Sequence, residues 1–285
     1  MTSDHRQSLL LLGGEGFIGR NLALYFAPTY DCVSCGDKES LFSERQDTFI
    51  AGNPYKKPLE HKADVVIHLI DNKECLAEDF LSEEKKLAEN IALDSQSHFI
   101  LFSSAVLYAS PDSEYGVRKK RLEEFYTEYC EEHSIPLTIV RLFNTFGAFQ
   151  IPYRQGSLVA NLIYNHLMSI PTEIQDLSAE RDFLYASDIP KFIEFFIKEG
   201  VIGTYDLGSG ELTTLGEIIT KLQEQIGGGS LNIINKGVPE AFTIQSANNP
   251  FLDTIALTPM SEALQETINF FSSNRAILQT YVAKK

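Results

Sequence analysis

Short apolar runs alternate with longer stretches of helical periodicity through the first half of the chain. Leu9–Leu12, Asp64–Ile70, His98–Ser104 and Leu137–Leu142 are dominated by consecutive apolar residues, and Asp31–Gly36 is a weaker version. Such runs suit strands buried on both faces of a parallel sheet. Between them, Phe17, Ile18, Leu22 and Phe26 recur on one face of a helix. Phe80, Leu81, Leu87, Ala88 and Ile91 do so within Glu78–Ser95, and Glu114–His133 is the next helical stretch. Strand and helix in strict alternation up to residue 142 predict an α/β, doubly wound parallel sheet. Lys38–Lys62 is polar and punctuated by Gly52-Asn53-Pro54 and Pro58, so it reads as a reduced strand-helix unit.

Beyond Gly147 the rhythm changes. Ser157–Met168 is helical, Arg181–Tyr185 is a short extended piece, and Asp188 caps a helix carrying Pro190 in its first turn. Gly203–Gly210 is a strand and turn, Thr214 opens a helix that stops at Gly227-Gly228-Gly229, and Leu264–Leu278 is a last amphipathic helix. The expected division is a nucleotide-binding domain over 1–150 plus about 183–203, and a smaller C-terminal substrate-binding lobe over about 151–182 and 204–285. Met1–Ser8 is polar and expected as a loose end.

The turn after the first run is the most informative local feature. Gly13, Gly16 and Gly19 stand at G-x-x-G-x-x-G directly after Leu9–Leu12 and at the start of a helix. Gly13 permits the tight turn, Gly16 lets backbone approach a pyrophosphate, and Gly19 lets helix and strand pack closely. The helix N-terminus then faces the phosphates. In a chain with 18 glycines the trio alone is weak, so its context decides. Asp37 closes the next strand eighteen residues past Gly19, where a carboxylate accepts from the adenosine ribose hydroxyls and repels a 2′-phosphate. The expected fold is therefore of Rossmann type and the expected cofactor is NAD rather than NADP.

Composition narrows the class of partner. A formal charge of −15 argues against nucleic acid or an anionic membrane surface. No run approaches the roughly 18 apolar residues of a membrane span, and Leu9–Leu12 is too short for a signal core. A cytoplasmic enzyme is expected. Cys32, Cys35, Cys75 and Cys130 form no disulfide framework. Cys32-Val33-Ser34-Cys35 matches C-x-x-C, but i and i+3 on a strand point to opposite faces. Buried free thiols and no metal site are the expectation.

Tyr115 and Lys119 lie four apart, hence on one helix face. A phenol acts as a base near neutrality only if a nearby cation favours the phenolate. The spacing alone is weak, since Tyr281 also has a lysine, Lys285, four residues on, in what reads as a solvated tail. Ser104, ending the strand just before Tyr115, strengthens the case: a hydroxyl and a phenol converging on one substrate hydroxyl is what hydride chemistry needs. Lys120, Arg121, Glu123 and Glu124 read as a solvated outer face.

Taken in order, Gly13–Gly19, Asp37, Ser103–Tyr108, Tyr115-x-x-x-Lys119, Arg141–Gly147 and Arg181–Tyr185 resemble the extended short-chain dehydrogenase/reductase family, the NAD-dependent epimerase/dehydratases of nucleotide sugars. The similarity runs from residue 9 to about 220. The resemblance implies Tyr115 as catalytic acid/base and Lys119 holding the nicotinamide ribose and lowering the tyrosine pKa. It implies Ser104 at the substrate hydroxyl, Asn144 near the sugar diphosphate and Arg181 on its phosphates. The resemblance also implies Asn53 near adenine, with Phe17, Ile18 and Leu69 completing the cofactor-binding set. The plainer alternative for Arg181 is an ion pair with Asp182, and His68 reads as structural. The helices Glu78–Ser95 and Glu114–His133 are the implied homodimer interface.

This chain departs from the family's pattern at several points. Only seven residues, Ala109 to Tyr115 inclusive, stand where relatives carry a longer loop. Arg118 precedes the lysine where a small residue is usual, and Ile70-Asp71 replaces a small pair. No arginine lies between Arg181 and Arg275. Ala105 and Val106 stand where a 4,6-dehydratase would carry an aspartate and a glutamate, and the cysteine of a fucose-synthase-type enzyme is missing there. What remains suffices for a nucleotide-sugar 4-epimerase or a 4-ketosugar reductase. A non-catalytic dinucleotide or nucleotide-sugar binder is the third reading, disfavoured by the retained Ser104, Tyr115 and Lys119.

Overall fold

The computed structural model describes residues 6–37, 41–42, 45–59, 61–71, 79–154, 156–227, 229–239 and 245–284. Cys75, Glu78, Lys285, the start of the polar stretch at Lys38 and the tail before Arg6 lie outside them. The chain divides into two compact units, one of residues 1–141 with 190–205, the other of residues 142–189 with 206–285.

The first unit runs β1 (Ser8–Leu12), α1 (Phe17–Phe26), β2 (Asp31–Gly36), β3 (Thr48–Ala51), β4 (Val65–His68), α2 (Phe80–Asn90), β5 (His98–Ser104), α3 (Val106–Ala109), α4 (Glu114–Glu132) and β6 (Leu137–Leu142). In chain order there follow β7 (Asn144–Phe146), α5 (Leu158–Met168), β8 (Thr172–Ile174), β9 (Glu180–Tyr185), a 3-10 turn at Ala186–Asp188, α6 (Ile189–Glu199) and β10 (Gly203–Leu207). The chain closes with β11 (Leu212–Thr214), α7 (Leu215–Gln225), β12 (Ile233–Asn235), α8 (Met260–Ser273) and α9 (Arg275–Val282).

The seven-stranded central sheet has the order β10-β6-β5-β4-β1-β2-β3, as expected of a Rossmann-type α/β fold. Pairing is parallel from β3 through β2, β1 and β4 to β5. Strand order reverses between β1 and β4, so the ligand crevice of an open α/β sheet is expected at the C-terminal ends of those strands. Leu9 to Leu12 are fully buried, which is why β1 shows no polar alternation. Beneath it Leu10, Leu12, Val33, Val66, Phe99 and Leu101 pack with Leu87 and Ala88 of α2 and Leu122 and Tyr126 of α4. At about 1.5–3 kcal/mol per fully buried large side chain, this layer supplies much of the unit's stability.

In the second unit a three-stranded sheet has the order β11-β9-β7, antiparallel between β11 and β9 and parallel between β9 and β7. β8 and β12 form a separate parallel pair.

Several local expectations change. The polar stretch, read as a reduced strand-helix unit, contributes β3, where Thr48-Phe49-Ile50-Ala51 pairs parallel with β2. The helix expected over Leu264–Leu278 is two, broken at Asn274, whose side-chain and backbone N–H groups both donate to the Phe270 carbonyl. Asp188 lies in the 3-10 turn ahead of α6, and its carboxylate accepts from the Thr258 amide at 2.9 Å and hydroxyl at 2.8 Å. Glu123 is not on a solvated face: it is buried and holds Arg141 through two bonds of 2.7 and 3.0 Å. Cys32, Cys35 and Cys130 are buried free thiols. Among the described residues no helix is long and apolar enough to cross a membrane.

Candidate active site

The glycine turn is built as a cradle that side chains would fill. Gly13 adopts φ +87°, and its N–H donates to the Cys35 carbonyl at 2.9 Å, tying the turn to β2. A Cβ on Gly19 would stand 2.5 Å from the Gly13 carbonyl oxygen, so α1 meets the turn with no room for a side chain. A Cβ on Gly16 would meet that oxygen at 3.3 Å, a milder conflict. Gly16 is also the N-cap of α1, with no side-chain cap on the helix N–H groups. That arrangement suits a pyrophosphate, whose oxygens accept from such groups. Gly14 adds a constraint that the motif does not announce, since a Cβ there would lie 2.2 Å from Ser34 Oγ.

Asp37 and Asn53, expected to face ribose and adenine separately, meet each other: Asn53 Nδ2 donates to Asp37 Oδ2 at 3.2 Å. Leu69 begins just past β4, its N–H donating to the Leu12 carbonyl at 3.0 Å, so it lines the same strand edge as Gly13. Phe17 and Ile18 form the first turn of α1. Beside them Glu15 and Arg45 pair at 2.6 Å, with Arg45 over the Phe49 ring at 4.6 Å. The spacing of thirty residues between Glu15 and Arg45 carried no sequence signal.

Ser104 ends β5 and Tyr115 lies in the first turn of α4, near enough for the serine hydroxyl to favour the phenolate. The short connection forces this closeness. A Cβ on Gly116 would stand 2.4 Å from the Ser110 carbonyl oxygen and 2.6 Å from that of Pro111, so the loop lies directly on the first turn of α4. Ser113 caps that turn by accepting from the Gly116 N–H at 3.0 Å. Lys119, one helical turn on, is buried and donates from Nζ to the Phe102 carbonyl at 2.9 Å. Its ammonium lies 5.8 Å from the centre of the Tyr115 ring. Burial pulls the Lys119 ammonium below its ordinary pKa, against the opposing pull of Asp71 and Glu84. The phenol of Tyr115 sits above its ordinary value, chiefly because it is buried, while Ser104 favours the phenolate. The cation that favours the Tyr115 phenolate is Arg118 rather than Lys119, and the phenol still stands above its usual range.

The two departures from small residues are partners: Arg118 Nε lies 3.3 Å from Asp71 Oδ1 and Nη2 3.4 Å from Oδ2, with Nη1 on Glu114 at 2.7 Å. Neither was marked as part of the site by spacing, because they are 47 positions apart.

In the second unit Asn144 opens β7 opposite Phe183 of β9, two residues along from Arg181. One small sheet thus presents both polar residues. Asp182 is fully buried and accepts from the Ser209 amide at 2.6 Å, the Gly210 amide at 3.0 Å and the Ala247 amide at 2.8 Å. Its carboxylate, which also accepts from the Ser209 hydroxyl at 2.8 Å, is committed to these groups rather than to its neighbour, and Arg181 donates to the Glu180 carbonyl at 2.7 Å.

A doubly wound sheet with a glycine cradle at its switch point, Ser104 at a strand end and Tyr115 and Lys119 on the helix that follows defines a dinucleotide-binding α/β protein. Residues 9–208 match the model of the NAD dependent epimerase/dehydratase family, and the chain belongs to that family of enzymes. It is 28% identical over 228 residues to a UDP-2-acetamido-2,6-beta-L-arabino-hexul-4-ose reductase of Pseudomonas aeruginosa, a match spanning 78% of this chain and 55% of that protein. It is 25% identical over 262 residues to an uncharacterised UDP-glucose epimerase of Bacillus subtilis, over 77% of this chain and 82% of the other. In fold it is similar to the dTDP-glucose 4,6-dehydratase of Bacillus anthracis solved with NAD, at a TM-score of 0.81 and 18% identity over 96% of this chain and 99% of that one. The UDP-N-acetylglucosamine 4-epimerase of Methanobrevibacter ruminantium shares the fold at a TM-score of 0.70 and 20% identity, over 94% and 99% of the two chains.

Proposed function

We propose that this enzyme is an NAD-dependent nucleotide-sugar epimerase acting at C4 of the sugar. The observation that carries the reading is Ser104 at the end of β5, with Tyr115 and Lys119 together on α4 and the lysine ammonium 5.8 Å from the tyrosine ring centre, beside the sheet that bears the glycine cradle. Bound NAD supplies the hydride acceptor and, in the return step, the donor. Gly13, Gly16 and Gly19, with the first turn of α1, hold its pyrophosphate, Asp37 and Asn53 its adenosine, and Lys119 the nicotinamide ribose. Tyr115 Oη takes the proton from the C4 hydroxyl as hydride leaves the carbon, and returns it after the ketosugar has turned. Ser104 Oγ holds the same sugar oxygen. In the second unit Asn144 and Arg181 are assigned to the diphosphate, for which a guanidinium fork is suited. Ala105 and Val106 offer no carboxylate for elimination of water, which disfavours dehydration.

The second reading is a 4-ketosugar reductase, supported by the similarity to the Pseudomonas reductase. The same side chains serve it, with Tyr115 donating its proton to the C4 oxygen. Under either reading the enzyme is a cytoplasmic homodimer joined through α2 and α4.

Denaturing protein purified without added cofactor and identifying the released nucleotide separates the two. Stoichiometric NAD⁺ together with interconversion of UDP-sugar C4 epimers supports the epimerase. An empty site with NADH consumed by a 4-ketosugar supports the reductase. Tyr115→Phe should lower turnover about 10²- to 10⁴-fold, and unchanged turnover would overturn both.

A further inference from the structure

The phenol of Tyr115 is flanked by two cations, not one. Lys119 Nζ and Arg118 Cζ each lie 5.8 Å from the ring centre, but their anchors differ. Lys119 is buried and tied to a backbone carbonyl, whereas Arg118 is pinned by Asp71, just past β4, and by the exposed Glu114. The side chains of Arg118 and Asp71 are only 16% and 23% exposed, so solvent screens them incompletely. We propose that the Arg118–Asp71 ion pair, set against the Tyr115 ring, positions the proton of that phenol.

Among the described residues, the charged and polar groups around the phenol are Ser104 from the end of β5 and Arg118 and Lys119 from α4, with Asp71 from beyond β4 and Glu114 both held on Arg118. Of the two charges in the pair, Asp71 raises the phenol's proton affinity and Arg118 lowers it, both secondary to burial. A structural brace behaves differently, because losing either member breaks the same contact and does the same damage. An electrostatic device responds with opposite signs to the loss of each member.

This inference rests on the acid–base role assigned to Tyr115, and its test is chosen to separate the two. In the holoenzyme the midpoint of Tyr115 is followed by NMR of ring-labelled tyrosine, assigned by its loss in Tyr115→Phe, alongside the pH profile of kcat/KM. Arg118→Met should raise the midpoint by about one pH unit, Asp71→Asn should lower it by about as much, and the double variant should fall between. Arg118→Lys keeps the charge and should keep the midpoint, which preserves the test if the Met variant folds poorly. Midpoints that stay put, or that move the same way in both single variants, overturn the proposal. Opposite shifts in a protein that turns over no sugar nucleotide uphold it and overturn the catalytic assignment instead.

Discussion

His68 Nε2 lies 3.4 Å from Glu84 Oε2, and neither side chain reaches solvent. The carboxylate also accepts from the hydroxyls of Tyr55 at 2.8 Å and Tyr126 at 3.0 Å. Strand β4, the loop after β3, α2 and α4 are thereby joined through one buried group. His68 stacks edge-on against Tyr126 and Phe99, which fits the structural role expected of it. Removing a carboxylate that satisfies several buried partners leaves each of them unpaired. Glu84→Ala should therefore cost about 3–5 kcal/mol in urea unfolding, and Glu84→Gln, which keeps an acceptor, distinctly less.

Gly16 and Gly19 belong to one motif but should fail differently. The Cβ of Gly19→Ala would collide with backbone at 2.5 Å, so this variant should unfold at markedly lower temperature. Gly16→Ala meets a single atom at 3.3 Å and should keep most of its stability while binding NAD at least tenfold more weakly. Thermal melting beside NAD titration reads both.

Asp37 and Asn53 form one polar pair at the end of β2, so cofactor choice should depend on both. Asp37→Ser should relax discrimination against NADPH by about tenfold or more, since it removes the charge that repels a 2′-phosphate. A wild-type preference for NADPH would sink this assignment.

Three buried thiols predict a pH dependence of stability. Burial pushes Cys32 and Cys130 up to about 12 and Cys35 up to about 11, from an ordinary value of 9.0. The folded state then holds these protons where the unfolded chain has lost them. Their contribution is fully present below pH 9.0 and is lost as pH rises towards the folded values. Unfolding free energy should fall by about 1.4 kcal/mol per pH unit for each thiol across that window. Cys130→Ala, assayed by urea unfolding at a series of alkaline pH values, should flatten the slope.

Secondary structure was most legible where burial on both faces left a continuous apolar run. β1, β5 and β6 stand where those runs are, and Thr214 does open α7, through a reciprocal capping box with Glu217. β3 is only four residues, Thr48-Phe49-Ile50-Ala51, so its β-prone run is too short to stand out from the polar stretch around it until pairing with β2 fixes it. Asn274 shows the converse, a polar residue within an amphipathic pattern whose side chain turned to the helix backbone and ended α8.

The sequence by itself determined the α/β alternation, the glycine turn and the Tyr115–Lys119 face, because each depends on local conformation and on spacing within one element. Tertiary structure alone decided which charges meet. Arg118 finds Asp71, Glu123 finds Arg141 and Glu84 finds His68 across separations that no periodicity encodes. A carboxylate's partner is set by which elements the sheet brings side by side, and that follows from burying the strands together rather than from the residue's own neighbours in the chain.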